Sequence, residues 1–346
     1  MSTFSRTGIS SLLLLSAGAL GTLSAGAAPP HYAVTLLPTL GGTSTQGYGL
    51  NDRGQVTGIS DIKGDLTARP FLYTHGTIKD LGALGGDFGI GYAVNVHAQV
   101  TGDAALKLDL SFSAFLNTHG VMKDLDAGTA LNSVGYAINS HGTVAGVGNL
   151  LANVFLHAGI FTGNAIQDLG TLGGNSSSAF GINDKGQVTG QADLPGSLLT
   201  HAFLYTNGSM MDLGSLGGDF SVGLAVNNKG EVAGTSELTG SSVEHAFLYN
   251  NGFMKDLGTL GGSFSHGLAL NIHGVVTGGA AIPGDVEHAF VERGGKMRDL
   301  NKEIGAAASL YTLVTGTAIN ESGQIVVNGV VKATGKSEAF LLTPVP

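Results

Sequence analysis

The heptapeptide "DLGTLGG" occupies residues 168–174 and returns unchanged at 256–262. Glycine at this density serves two very different ends, a loop that wraps a phosphate or a joint that lets the chain change direction. A phosphate loop ends in Gly-Lys-Ser/Thr and opens a helix. Neither follows either copy, so the heptapeptide is read as a joint, and the question becomes what it joins.

Two markers answer it. Asn-x-x-Gly recurs at Asn51, Asn95 (with Ala98 in place of the glycine), Asn139, Asn183, Asn227, Asn271 and Asn320, at intervals of 44 residues five times and then 49. Asp-Leu recurs at Asp80, Asp124, Asp168, Asp212, Asp256 and Asp299 at almost the same interval. Two markers holding one period define a true repeat. Within a unit, residues 178–214 read as four short strands. "SAFGI" alternates small and large, "NDKG" turns the chain, "QVTG" returns, "HAFLY" is a third strand, and Asn207-Gly208 is a hairpin signal leading into "MMDL".

Four strands per 44 residues is the pattern of one blade of a β-propeller. The last unit stops before any fourth strand, while residues 32–37 form an orphan strand ahead of the first unit. The expected fold is therefore all-β: a seven-bladed β-propeller of four-stranded antiparallel blades, closed by the N-terminal strand pairing into the last blade. Positions four and two residues before each marker Asn are Gly or Ala throughout: Gly47/Gly49, Gly91/Ala93, Gly135/Ala137, Ala179/Gly181, Gly223/Ala225, Gly267/Ala269 and Gly316/Ala318. Between them stand Tyr48, Tyr92, Tyr136, Phe180, Leu224, Leu268 and Thr317. Side chains alternate along a strand, so one face is bare and the other bulky, and the bulky face is expected to nest as core against the bare face of the next blade.

Composition sets the outer limits. The 346 residues include 57 glycines and no cysteine or tryptophan, and the formal charge is −9. The few basic residues are scattered, which argues against nucleic acid as a partner. Residues 1–27 carry Arg6, an apolar run and the small residues Ala25-Gly26-Ala27, the layout of a secretory signal peptide. The domain reading is thus a signal peptide at 1–27 and a single β-propeller domain of seven repeats of about 44 residues at 28–346. The chain is expected to be secreted or periplasmic, without disulfides, with no membrane span after cleavage, and monomeric.

Polar residues recur too. His201, His245 and His288 open "HAF"-type third strands, with His157 in a related position. Equivalent atoms of neighbouring blades lie too far apart to share one metal ion, so no metal and no cofactor is expected. With a two-residue turn, Phe203 faces Asp212 across the ladder, which makes His201 and Asp212 diagonal neighbours. Structural His–Asp pairs are therefore expected at His201–Asp212, His245–Asp256 and His288–Asp299, inside a sheet covered on both faces. Motifs for calcium loops, nucleophile elbows and zinc proteases do not occur.

Together "HAFLY", "DLGTLGG" and "GINDKGQVTG" resemble the HAF-repeat family of predicted extracellular bacterial proteins, over about residues 31–346. Arg69, Ser113 and Glu338 replace the histidine in three units, His157-Ala158-Gly159 replaces His-Ala-Phe in another, and Asp124-Leu125-Asp126 lacks the glycine pair. The resemblance implies export but no agreed activity. The terminal "TPVP" is similar to the start of a Val-Pro-Glu-Pro sorting signal.

The function expected is a non-catalytic binding or scaffold module of the cell envelope or extracellular matrix, with an extracellular polysaccharide or protein as ligand. The candidate ligand-contacting residues follow the glycine pairs: Asp87, Phe88, Asn175, Asp219, Phe220, Phe264 and His266. No catalytic residue is assigned. The alternatives are a carbohydrate-active hydrolase or lyase with acidic residues at the channel mouth, and an inert spacer.

Overall fold

A computed structural model describes residues 31–107, 111–126, 130–150, 155–196 and 199–345. The signal-peptide reading of 1–27 lies outside them. The alternating "SSAFGI" forms the strand Ser177–Ile182, followed by Val188–Asp193, Thr200–Thr206 and Ser209–Asp212. The last two are joined by Asn207 and Gly208 at φ 52° and 83°, the left-handed pair that matches the natural twist of a hairpin. The same antiparallel order is followed by the strands around each marker. Among the described residues there are five four-stranded sheets and one of eight strands, the latter made of two such sets linked by a single parallel bridge, Thr200 to Phe220. Units are numbered one to seven below by their marker, Asn51 to Asn320.

Unit seven takes its outer strand from the other end of the chain. His31–Leu36 runs antiparallel to Lys336–Val345, from His31 opposite Val345 to Leu36 opposite Phe340. Thr343, Pro344 and Val345, three letters of the terminal "TPVP", are part of this ladder. The longer interval before Asn320 is taken up by two short 3-10 turns, Leu300–Lys302 and Gly305–Ser309.

The heptapeptide is the joint between units. Asp168 accepts the Gly170 N–H at 2.8 Å, and Thr171 Oγ1 accepts the Gly173 N–H and donates to the Gly174 carbonyl. Gly170 and Gly173 hold φ of 78° and 102°, closed to other residues without strain. The copy at 256–262 makes the same bonds through Asp256 and Thr259. Between Asp and Gly, the leucine anchors the outer strand: Leu213 N–H donates to the Ala202 carbonyl, and Leu37 does the same to Ala339 in unit seven.

The core lies between units: the phenylalanine of the third strand clusters with small and apolar residues of the unit before, as Phe203 does with Ala137, Ala145 and Ala158, and Phe290 with Ala233 and Ala246. Phe71, Phe115, Phe203, Phe247, Phe290 and Phe340 are fully buried, each contributing about 2–3 kcal/mol. In unit three Gly159 stands there instead, and Ile166 fills the space.

Units are held to each other by asparagine. In every unit the marker Asn is buried, and in the first six its Oδ1 accepts backbone N–H groups two and four residues on, as Asn183 does from Lys185 and Gln187; Asn320 accepts the Ser322 hydroxyl and the Gln324 N–H. Its Nδ2 donates to the backbone carbonyl of the next marker. The bonds run Asn51 to Asn95, Asn95 to Asn139, Asn139 to Asn183, Asn183 to Asn227, Asn227 to Asn271 and Asn271 to Asn320. Asn320 donates to the Asn51 carbonyl at 3.1 Å, which returns the circuit to its start.

The bare stripe corrects one expectation. Gly and Ala do face adjacent units, but backbone and small side chains fill the space against them: a Cβ on Gly91, Gly135, Gly223 or Gly316 would collide with the hydroxyl of Thr57, Thr101, Thr189 or Thr277 of the preceding unit. The bulky row does not nest there. A register shift between Gly47 and Gly49, repeated in later units, falls at the bulky residue. Tyr48, Tyr92, Tyr136, Phe180, Leu224 and Thr317 line a central cavity of about 250 Å³ to which all seven first strands contribute. Successive aromatic rings there lie 5.9, 5.1 and 5.0 Å apart.

Two substitutions measure these contacts. Gly223→Val is expected to lower the denaturation free energy by about 2–3 kcal/mol through overpacking against Thr189. Asn183→Ala leaves the N–H groups of Lys185 and Gln187 without their acceptor and removes the bond to the Asn227 carbonyl, and is expected to cost about 3 kcal/mol. Guanidinium titration followed by circular dichroism reads both.

Candidate functional site

Three cavities adjoin one another, neighbouring ones sharing lining residues. The first, about 260 Å³, is ringed by the marker asparagines and by Leu50, Val94 and their counterparts. The second is the aromatic-lined cavity. The third, about 630 Å³, shares Tyr48 and Thr317 with it and opens where units six, seven and one meet.

The asparagine end holds the acidic residues Asp52, Asp184 and Glu321. Their oxygens are engaged by backbone. Asp52 accepts the Glu321 N–H at 2.9 Å, Glu321 accepts the Ile272 N–H at 3.0 Å, and Asp184 accepts the Ser140 N–H at 2.8 Å and Asn228 Nδ2 at 3.1 Å. Burial opposes ionisation of Asp184, but these bonds outweigh it and bring its pKa below the ordinary value. In Glu321 burial wins, helped by neighbouring Asp52, and the pKa is raised. These carboxylates act as caps that link one turn to the next.

Two further carboxyls, which the sequence reading passed over, are buried within the sheets. Asp103 is 8% exposed and its Oδ1 has no hydrogen-bond partner. Burial raises its pKa to about 6, against an opposing hydrogen bond from the Tyr92 hydroxyl. Glu338 lines the 630 Å³ cavity, is 9% exposed, and has an Oε2 without a partner. Both were visible as departures from the repeat: Asp103 stands where other units carry Ile59, Val147, Gln191, Thr235, Gly279 and Asn328, and Glu338 stands where four units carry histidine.

The histidines are paired at the outer part of the sheets. Nδ1 of His201 lies 2.9 Å from Asp212, that of His245 2.9 Å from Asp256, and that of His288 3.0 Å from Asp299. His157 and Asp168 make a fourth such pair, and Ser113 donates to Asp124 in unit two. Phe203 stands opposite Asp212 in the ladder. The surroundings differ from a sheet covered on both faces: the Asp212 and Asp256 side chains are 39% and 41% exposed, and only Asp299 is buried. The reason is that each aspartate also caps the joint that follows it, at the surface.

The seven rim residues do not form one site. They lie one or two per unit, at seams between units. Asp87 pairs with Arg69 at 3.1 Å, the Asn175 carbonyl accepts from His157, Phe220 bridges to Thr200, and His266 lies 3.4 Å from Glu244. Phe88 packs edge-on against Phe112, Phe264 lies against His266, and the Asp219 N–H donates to Glu237. Each contact except those of Phe88, Phe264 and Asp219 crosses to the preceding unit. A further seam element had gone unread: Ser133, Ser177, Ser221 and Ser265 accept the N–H of Ala114, Ala158, Ala202 and Ala246 in the unit before. Its sequence signal was a serine at a fixed place two residues before the bare stripe. Among the described residues no cluster of three or more His, Asp or Glu has metal-binding geometry, and no helix is long and apolar enough to cross a membrane.

No protein-family model matches the chain, and no curated protein matches it in sequence. Solved structures do. The β-propeller domain of the Trilobed protease from Pyrococcus furiosus, described as having an open velcro topology, aligns with a TM-score of 0.56 at 10% identity, over 90% of this chain and 95% of that one. TolB from Acinetobacter baumannii aligns at 0.45 and 11% identity, over 84% of this chain and 63% of its own. A gluconolactonase from Xanthomonas campestris aligns at 0.43 and 12%, over 93% and 96%. At such identities the likeness concerns fold alone, and the two scores below 0.5 carry no argument. The chain has β-propeller architecture.

Asp103 yields a pH test. Its folded pKa, about 6, exceeds the ordinary 3.8, so the folded state binds the proton more tightly and this group's contribution to stability falls as pH rises through that window. Asp103→Asn removes the titration. The variant is expected to gain on the parent by about 2 kcal/mol between pH 4 and pH 7, measured as the difference in denaturation free energy at each pH.

Proposed function

We propose that the protein is a secreted or periplasmic, monomeric, non-catalytic binding or scaffold module: a seven-bladed β-propeller of the HAF-repeat family, closed by its N-terminal strand pairing into the last blade. The observation that carries the binding role is a division of labour among polar residues. Those that repeat, the asparagines, serines and histidine–aspartate pairs, are used up in holding strands and units together. Those that do not repeat, Glu338 and Asp103, are buried without full hydrogen bonding, and Glu338 lines the 630 Å³ cavity where units six, seven and one meet. Ring closure is supported by the ladder between His31–Leu36 and Lys336–Val345 and by the Asn320 to Asn51 bond. Export is supported by the layout of residues 1–27.

A hydrolase or lyase would place a working pair of carboxylates at the channel mouth. Asp52, Asp184 and Glu321 are there, but each is bound to backbone N–H groups that would have to be given up. Binding of the purified protein to glycan and peptide arrays tests the reading. Retention of one ligand class with no change in that ligand after prolonged incubation is the expected result; cleavage of an array polysaccharide, with loss of cleavage on substituting Asp52 or Glu321, would replace it with the enzymatic one.

A further inference from the structure

The residue that opens the third strand has a partner in six of the seven units. Arg69 pairs with Asp87, Ser113 donates to Asp124, and His157, His201, His245 and His288 pair with an aspartate of the fourth strand. Unit seven breaks the rule twice. Its fourth strand comes from the N-terminal segment, where Leu36 faces Phe340 as Asp212 faces Phe203, so the aspartate's place is held by leucine. The opening residue is Glu338, an acceptor where the other six are donors. A carboxylate in this position cannot be served by the aspartate of the repeat, and no cation among the described residues forms a salt bridge with it: Oε2 makes no hydrogen bond, although the residue is nine-tenths buried. Burial drives its pKa up, Lys336 and the Thr45 N–H oppose that, and Asp61 adds to it.

The space beside Glu338 has a matching character. The 630 Å³ cavity is walled by Tyr48, Leu268, Val314 and Val330, with no lysine or arginine in its lining. Of its polar groups, Asn328 spends both ends of its amide on Gly47, and Thr315 donates to Glu287. The Tyr48 hydroxyl is fixed by Gln46 Oε1 at 2.5 Å, which holds the ring in the wall. Apolar sides, an aromatic ring and a carboxylate with one unbonded oxygen are the elements that recognise an ammonium group.

We propose that this cavity binds a small organic cation, an ammonium group on an apolar body, with Glu338 as its counter-charge and the Tyr48 ring as its aromatic wall. The proposal rests on the binding-module reading and specifies one site and ligand chemistry for it. Charge supplies the selectivity, because desolvating a carboxylate beside a neutral ligand leaves the carboxylate no better satisfied than before. The ligand's apolar body replaces water along Leu268, Val314 and Val330.

Isothermal titration of the purified protein with phenethylammonium chloride and with its neutral counterpart, 2-phenylethanol, tests this. The ammonium probe is expected to bind at least about tenfold more tightly than the alcohol. Glu338→Gln is expected to remove that preference, and Tyr48→Leu to weaken the ammonium probe by about three- to tenfold. Val330→Phe, which fills the cavity from the strand beside that of Glu338, where Val330 stands opposite Ser337, is expected to abolish binding of either probe and serves as the check if Glu338→Gln does not fold. Equal affinities for the two probes, no heat with either, or ammonium binding untouched by Val330→Phe would overturn the proposal. An array ligand that still binds Glu338→Gln and Val330→Phe would overturn it while leaving the binding-module reading standing.

Discussion

A buried asparagine whose amide reaches the backbone of the next unit is the interaction on which the rest of this molecule depends. Each side chain is fully employed: its oxygen shapes the turn that follows it, and its nitrogen holds the neighbouring turn. Formed, such a bond contributes about 1 kcal/mol net, but left unmade in a buried turn it costs the desolvation of two groups. Each unit therefore depends on the next for one hydrogen bond of its marker amide. The serine clasp repeats the logic at the other end of the same seam, and the Gly/Ala stripe between them permits the approach that both bonds require. A larger side chain on the stripe would hold the seam open and leave the hydrogen bonds out of reach.

Much of this was legible because repetition amplifies weak signals. One Asn-x-x-Gly is an ordinary turn, whereas the same turn at one spacing is an architecture. The strands of "SAFGI", "QVTG", "HAFLY" and "MMDL", the joint at Asp168, and the orphan strand at the N-terminus all followed from pattern and turn chemistry. Partners across a seam were not legible. Nothing local to Asn183 says that its nitrogen meets residue 227, and nothing local to Ser221 says that it meets Ala202. The direction of the bulky row was misjudged for a related reason: strict alternation assumes an unbroken ladder, and the register shift at Tyr48 turns it toward the axis.

The candidate site was the least legible part. The rim residues after the glycine pairs drew notice because they vary, yet variation there follows the identity of the seam partner, as Asp87 follows Arg69 and His266 follows Glu244. Asp103 and Glu338 are the informative departures. Each is an acidic group at a position whose repeat equivalents are neutral or basic, and each is buried with an oxygen that nothing in the chain satisfies. In a repeat protein the fold accounts for what recurs, so function is best sought where a unit breaks its own rule against a physical cost.

The central claim is that the two ends of the chain share one sheet and so complete the circuit from Asn320 to Asn51. The chain has no cysteine, which makes a direct test available. Ala33 and Thr343 are register partners in the terminal ladder; replaced together by cysteine and oxidised under dilute conditions, they should form an intramolecular disulfide, seen as a faster-migrating monomer on non-reducing gels and as a linked pair of terminal peptides by mass spectrometry. Free thiols, or a disulfide found only between molecules, would contradict the account.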